Sequence, residues 1–111
     1  SKRALHRRLP PAAWGAVMHG EYKMPGGKLV VADLEVRDGR LCHVQVSGDF
    51  FLEPDSALDW IDAALNGQPV ESGEAELAAH LKAALGGRAA MYGISEEAIA
   101  CAVQRALGHA R

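Results

Sequence analysis

The chain has 111 residues, of which 49 % are apolar, enough for one domain with a single core and too few for two. No apolar run approaches the roughly 20 residues a helix needs to cross a bilayer, so a membrane-spanning helix is excluded. The formal net charge is −2, and the few basic charges at the start, Lys2, Arg3, Arg7 and Arg8, are too few to neutralise a nucleic-acid backbone, which argues against nucleic acid as the partner.

Those four charges are followed by Pro10-Pro11 and not by an apolar segment, so they do not form a signal-peptide pattern. Residues 1–17 read as a basic arm or leader running into the first strand, and residues 18–108 as the folded domain. Ser1 in first place fits a processed or excised piece of something longer, and Met18 fits an original start preceded by an extension. From Asp49 to Glu76 there are acids but no Lys or Arg, so the body of the domain is acidic.

In chain order, the first element is a strand. Trp14, Ala16, Met18, Gly20, Tyr22 and Met24 are apolar or small, whereas His19, Glu21 and Lys23 are polar. A period of two marks a strand with one buried face. The second strand puts Val30, Ala32, Leu34 and Val36 on one side and Asp33, Glu35 and Arg37 on the other. The third sets Cys42, Val44 and Val46 against His43, Gln45 and Ser47.

Loop length is then tested by parity. A two-residue loop at Asp38-Gly39 would place Val36 opposite Leu41 and Leu34 opposite His43, mixing the faces. A three-residue loop, Arg37-Asp38-Gly39, pairs Val36 with Arg40, Leu34 with Cys42 and Ala32 with Val44, and gives Gly39 a positive φ. The same reasoning at Pro25-Gly26-Gly27 pairs Tyr22 with Val30, Gly20 with Ala32 and Met18 with Leu34. The expected sheet is a three-stranded antiparallel meander, order 1-2-3, with one apolar face.

Three helices follow. The first starts at Pro54 and stops before Gly67, with Ala57, Leu58, Ile61, Ala64 and Leu65 apolar and Asp55, Asp59 and Asp62 on the far side. The second runs from about Gly73, capped by Ser72, to Leu85, with Leu77, Leu81, Ala84 and Leu85 inward and Gly86 ending it. The third is capped by Ser95, turns Ile99, Val103, Ala106 and Leu107 inward and stops at Gly108, with Ile94 and Ile99 as a hydrophobic staple. Three amphipathic helices and a single-faced sheet predict an α+β fold, a two-layer sandwich.

Four groups of residues could carry chemistry. The predicted register lines up His19, Asp33 and His43 across three strands, with Glu21 nearby. Two imidazoles and a carboxylate suit a divalent metal or an oriented catalytic histidine, but the same row also reads as a solvated face with favourable cross-strand pairs. Cys42 is expected mid-strand facing inward, and Cys101 off its helix's inward stripe with Arg105 one turn on. Two cysteines without metal or redox spacing point to a reducing, cytoplasmic setting. Pro25-Gly26-Gly27-Lys28 reads first as a hairpin turn and only second as a phosphate cradle. Finally, Phe50 and Phe51 cannot both enter one face, so Phe51 is either part of a junction plug or an exposed contact for a partner.

Taken together, Lys23-x-Pro25-Gly26-Gly27-Lys28-Leu29-Val30, the Asp38-Gly39 turn and Gly48-Asp49-Phe50-Phe51-x-x-Pro54 resemble the accessory domain of lipoate–protein ligases. The resemblance covers residues 18 to 107. It implies a strand meander followed by helices, similar to the fold of iron–sulfur scaffold and sulfur-acceptor proteins. It also implies a non-catalytic role, supporting ATP-dependent formation of lipoyl-adenylate by a separate or fused catalytic domain. That domain would bring ATP, Mg and lipoate, and a lipoyl-domain protein would be the eventual acceptor. The positions carrying the match, and so expected near the partner or the adenylate, are Lys23, Pro25, Gly26, Gly27, Lys28, Gly48, Asp49, Phe50 and Phe51. The same fold leaves room for a rival role as a sulfur or iron–sulfur carrier using Cys42, although a carrier needs its cysteine accessible on a loop. A stand-alone metal module using His19, Asp33 and His43 is a third reading.

Overall fold

A computed structural model describes residues 17–108; most of the basic arm, Trp14 and Ala16 included, lies outside the described residues, as do residues 109–111. The first strand, β1, is Met18–Lys23, followed by β2 (Leu29–Arg37) and β3 (Arg40–Gly48). They form an antiparallel sheet in the order β1-β2-β3. The remaining elements are β4 (Phe51–Glu53), α1 (Ala57–Leu65), α2 (Glu74–Leu85), β5 (Ala90–Tyr92) and α3 (Glu96–Leu107). The fold is α+β, with the helices layered on one face of the meander.

The register of β1 on β2 is the one that parity predicts: Met18 faces Leu34, Gly20 faces Ala32 and Tyr22 faces Val30. The second hairpin differs. Arg37 pairs with Arg40 and Val36 with Leu41, so the loop is the two residues Asp38-Gly39, both at positive φ (56° and 73°) as a type I′ turn requires. Parity is restored by a β-bulge. Between the pairs Asp33–Gln45 and Glu35–Cys42, β2 has one residue, Leu34, and β3 has two, His43 and Val44. His43 takes a left-handed conformation, φ 51°. Leu41 therefore faces inward, Cys42 pairs with Glu35 on the other face, and Val44 and Val46 return inward. A left-handed backbone at a residue with a Cβ costs about 1–2 kcal/mol. Keeping Leu34, Leu41, Val44 and Val46 all buried offsets it, since each such side chain contributes roughly 1.5–3 kcal/mol.

The core lies between this inner face and the helices, with Val30, Ala32, Leu34, Ile61, Leu77, Leu81, Ile99 and Val103 buried. Helix α3 crosses β1 and β2 and also packs against α2. It is consequently buried on more than the expected stripe: Ala98, Ala100 and Ala102 are enclosed, and Gln104 donates its amide to the Ser72 carbonyl at 2.8 Å. Its close approach depends on Gly20, where a Cβ would fall on the Ala106 nitrogen and the Ala102 carbonyl. Ser95 caps α3 as expected, accepting from Ala98 N at 3.1 Å. The cap of α2 is one residue later than expected, at Gly73, whose N–H donates to Glu76 Oε1 at 2.7 Å. Helix α1 begins at Ala57, after a turn in which Ala57 N donates to the Pro54 carbonyl.

Asp62 is not part of a purely solvated stripe. It accepts from Val46 N at 3.0 Å, and Asn66, one turn on, accepts from Val44 N at 2.9 Å. These are outward N–H groups of the edge strand β3. Residues after α1 continue the cover: Leu41 N donates to the Gln68 carbonyl and Gly67 N to the Leu41 carbonyl. The sheet edge is thus sealed by hydrogen bonds, which removes a template for pairing with another chain.

Candidate functional site

The first strand pair ends in a tight turn. Gly27 N donates to the Met24 carbonyl at 2.8 Å, with Pro25 and Gly26 between them and Gly26 at φ 71°. Proline in second place and a left-handed glycine in third are what a type II turn requires. Because β3 runs back antiparallel to β2, Gly48 arrives opposite Val30, and Asp49 Oδ1 accepts from Leu29 N at 3.3 Å. The two segments therefore meet at one end of the sheet, with Gly48 two residues further along β2 than the predicted pairing of Val36 with Arg40 would set it.

A third segment joins them that the sequence did not signal. β4 pairs with β5, placing Phe51 opposite Tyr92, Leu52 opposite Met91 and Glu53 opposite Ala90. The following residue, Gly93, accepts at its carbonyl from Lys28 N at 2.9 Å. A Cβ at Gly93 would fall on the aliphatic stem of Lys28, and one at Gly27 would crowd the Gly93 carbonyl. Two three-residue strands have too little periodicity to be legible.

The two phenylalanines separate. Phe50 is 1 % exposed and its ring lies over Gly48, where a Cβ would clash with it, so Phe50 is the plug between sheet and helices. Phe51 is 54 % exposed and its cross-strand neighbour Tyr92 is 53 % exposed. Of the residues singled out by sequence, Lys23, Pro25, Gly26, Lys28 and Asp49 are exposed and Gly27 is half-buried.

The row His19–Asp33–His43 does not form. Asp33 pairs with Gln45, and the bulge moves His43 to the level of Leu34 and Glu35. His19 is instead held by two carboxylates, Nδ1 at 2.7 Å from Asp33 Oδ1 and Nε2 at 2.7 Å from Glu21 Oε2. Those bonds, Glu21's first, raise its pKa above the ordinary value. Both ring nitrogens of His19 are thus engaged by carboxylates.

Cys42 is half-buried within β3, and the bulge turns it away from the core face predicted for it. It stands mid-strand and not on a loop, which does not favour a carrier role. Cys101 is also half-buried, and burial pushes its thiol pKa up, followed by the Glu74 charge, against an opposing effect of Arg105. It lacks the activated character of a reactive thiol. Among the described residues no helix is long and apolar enough to cross a membrane.

These features define a small α+β domain with an exposed aromatic pair where three loop segments converge. No protein-family model and no curated protein matches the sequence. Among solved structures, the chain is similar to one from an archaeal lipoylation system, a bipartite lipoate protein ligase and its E2 lipoyl domain from Thermoplasma acidophilum. The TM-score is 0.61 at 18 % identity, and the match covers 79 % of this chain and 92 % of that one. At that identity the likeness is one of fold.

Proposed function

We propose that this chain is the non-catalytic accessory domain or subunit of a lipoate–protein ligase. In this reading a catalytic domain brings ATP, Mg and lipoate and forms lipoyl-adenylate, and this domain supports the activation step by packing against it. A lipoyl-domain protein then accepts the acyl group. The observation that carries the reading is the convergence of Pro25–Lys28 and Gly48–Phe51 at one end of the sheet, where Phe51 and Tyr92 are exposed side by side. The fold likeness to a chain of a bipartite ligase system supports it, because a two-part ligase has a place for a small second part.

The test is reconstitution. Pyrophosphate release from ATP and lipoate is measured with a lipoate–protein ligase catalytic domain from the same host, with and without this chain. Release is expected only, or far faster, when both are present. An equal rate without this chain, or turnover by this chain alone, would refute the proposal.

A further inference from the structure

The β-bulge in β3 has a chemical consequence on the face opposite the helices. A regular strand sends neighbouring side chains to opposite faces, whereas a bulge re-aims them. Cys42 is paired directly with Glu35, and the extra residue His43 follows at φ 51°. One ligand atom from each of Glu35, Cys42 and His43 lies within 4.8 Å of the others. Atoms so spaced surround a point at most about 2.8 Å from each, so small side-chain rotations reach the ~2.0–2.3 Å of zinc–ligand bonds.

We propose that Glu35, Cys42 and His43 form a binding site for a divalent zinc-type metal ion, built by the bulge and bridging β2 and β3. The donor set is a carboxylate, a thiolate and an imidazole, the combination that selects borderline-soft ions over magnesium or calcium. Glu35 is 5 % exposed although it carries a carboxylate, which requires compensating charge. Arg37 lies 3.7 Å from its Oε1 and His43 Nδ1 lies 3.5 Å from its Oε2. Both distances exceed a hydrogen bond. The Arg37 side chain is largely exposed and sits on the other oxygen, so a cation at Oε2 need not displace it. The thiol releases its proton to solvent on binding, the thiolate and carboxylate neutralise the dication, and water completes four-coordination. The site uses none of the residues at the Phe51–Tyr92 end, and it stands or falls apart from the ligase reading.

Cobalt(II) is the probe, titrated into the reduced, metal-free full chain. A thiolate-to-cobalt charge-transfer band should grow with d–d bands of a four-coordinate ion, saturate at one equivalent and be bleached by zinc. Cys101→Ser should leave the spectrum unchanged and Cys42→Ser should abolish the charge-transfer band. His43→Asn keeps a residue tolerant of the left-handed backbone, and should weaken binding by at least the roughly tenfold that losing even an outer-shell partner costs. If Cys42→Ser fails to fold, alkylation of the unmutated chain decides: zinc should protect Cys42 and not Cys101. Absence of a thiolate band, its persistence in Cys42→Ser, its loss in Cys101→Ser, or no protection of Cys42 would overturn the site.

Discussion

The backbone N–H of Val46 donates to Asp62 Oδ1 at 3.0 Å, so the outer edge of the sheet closes on a helix side chain. Asp62→Ala removes that hydrogen bond. The expected loss is about 0.5–1.5 kcal/mol, the net contribution of one hydrogen bond. Asp62→Asn, which keeps a carbonyl oxygen in place, should recover most of it. Urea unfolding of the two variants checks this.

Gly20 and Gly39 separate close packing from backbone conformation. A Cβ at Gly20 meets the backbone of α3, which cannot rotate aside, so Gly20→Ala should destabilise by roughly 1–3 kcal/mol or more through overpacking. A Cβ at Gly39 meets nothing within 4 Å, yet the residue sits at φ 73°. Gly39→Ala should therefore cost about 1 kcal/mol from conformation alone. Denaturation midpoints should rank Gly20→Ala as the less stable.

His19 predicts a pH dependence. Its bonds to Glu21 and Asp33 raise its pKa above 6.5, so the folded chain holds the proton more tightly than the unfolded one. The stabilisation is complete below pH 6.5 and is lost as pH rises through the folded value. The side chain is about half exposed, and solvent screening keeps the effect small. The stability gap between the native chain and His19→Gln should shrink as pH is raised from 6 to 9, the range above carboxylate titration. An NMR titration of the His19 ring should give a midpoint above the ordinary value.

Adjacent phenylalanines should have opposite phenotypes. Phe51→Ala is expected to leave the fold intact and to weaken association with a ligase catalytic domain by roughly 1–3 kcal/mol, with Tyr92→Ala acting in the same direction. Phe50→Ala should instead destabilise the domain by about 3–5 kcal/mol, because that ring is fully enclosed. Calorimetric unfolding and binding titrations separate the two; unchanged affinity in Phe51→Ala would move the interface elsewhere.

Local signals fixed much of the site's frame. The alternation from Met18 to Val36, with Pro25-Gly26-Gly27 as the turn, sets the β1–β2 register, because one residue of slip would expose every apolar side chain. That register, with the return of β3, also brings Gly48 and Asp49 to the turn. Ser95 and the terminal glycines marked the helix ends for the same kind of reason, a local requirement of backbone groups.

By itself, then, the sequence determined the meander, the three helices and the meeting of its two glycine-containing segments. Only the tertiary structure decided the second hairpin, the β4–β5 pair and the neighbours of Asp62. Alternation carries across a hairpin only where both strands have equal residue counts, and the bulge at His43 breaks that equality while keeping Val44 and Val46 inward. Its left-handed strain is stable because the core packed on Leu34 and Leu41 outweighs it, a balance set by burial between distant residues. Tyr92 and Gly93 join the site for the same reason: three-residue strands carry almost no periodic signal and exist only where chain folding brings their partners alongside.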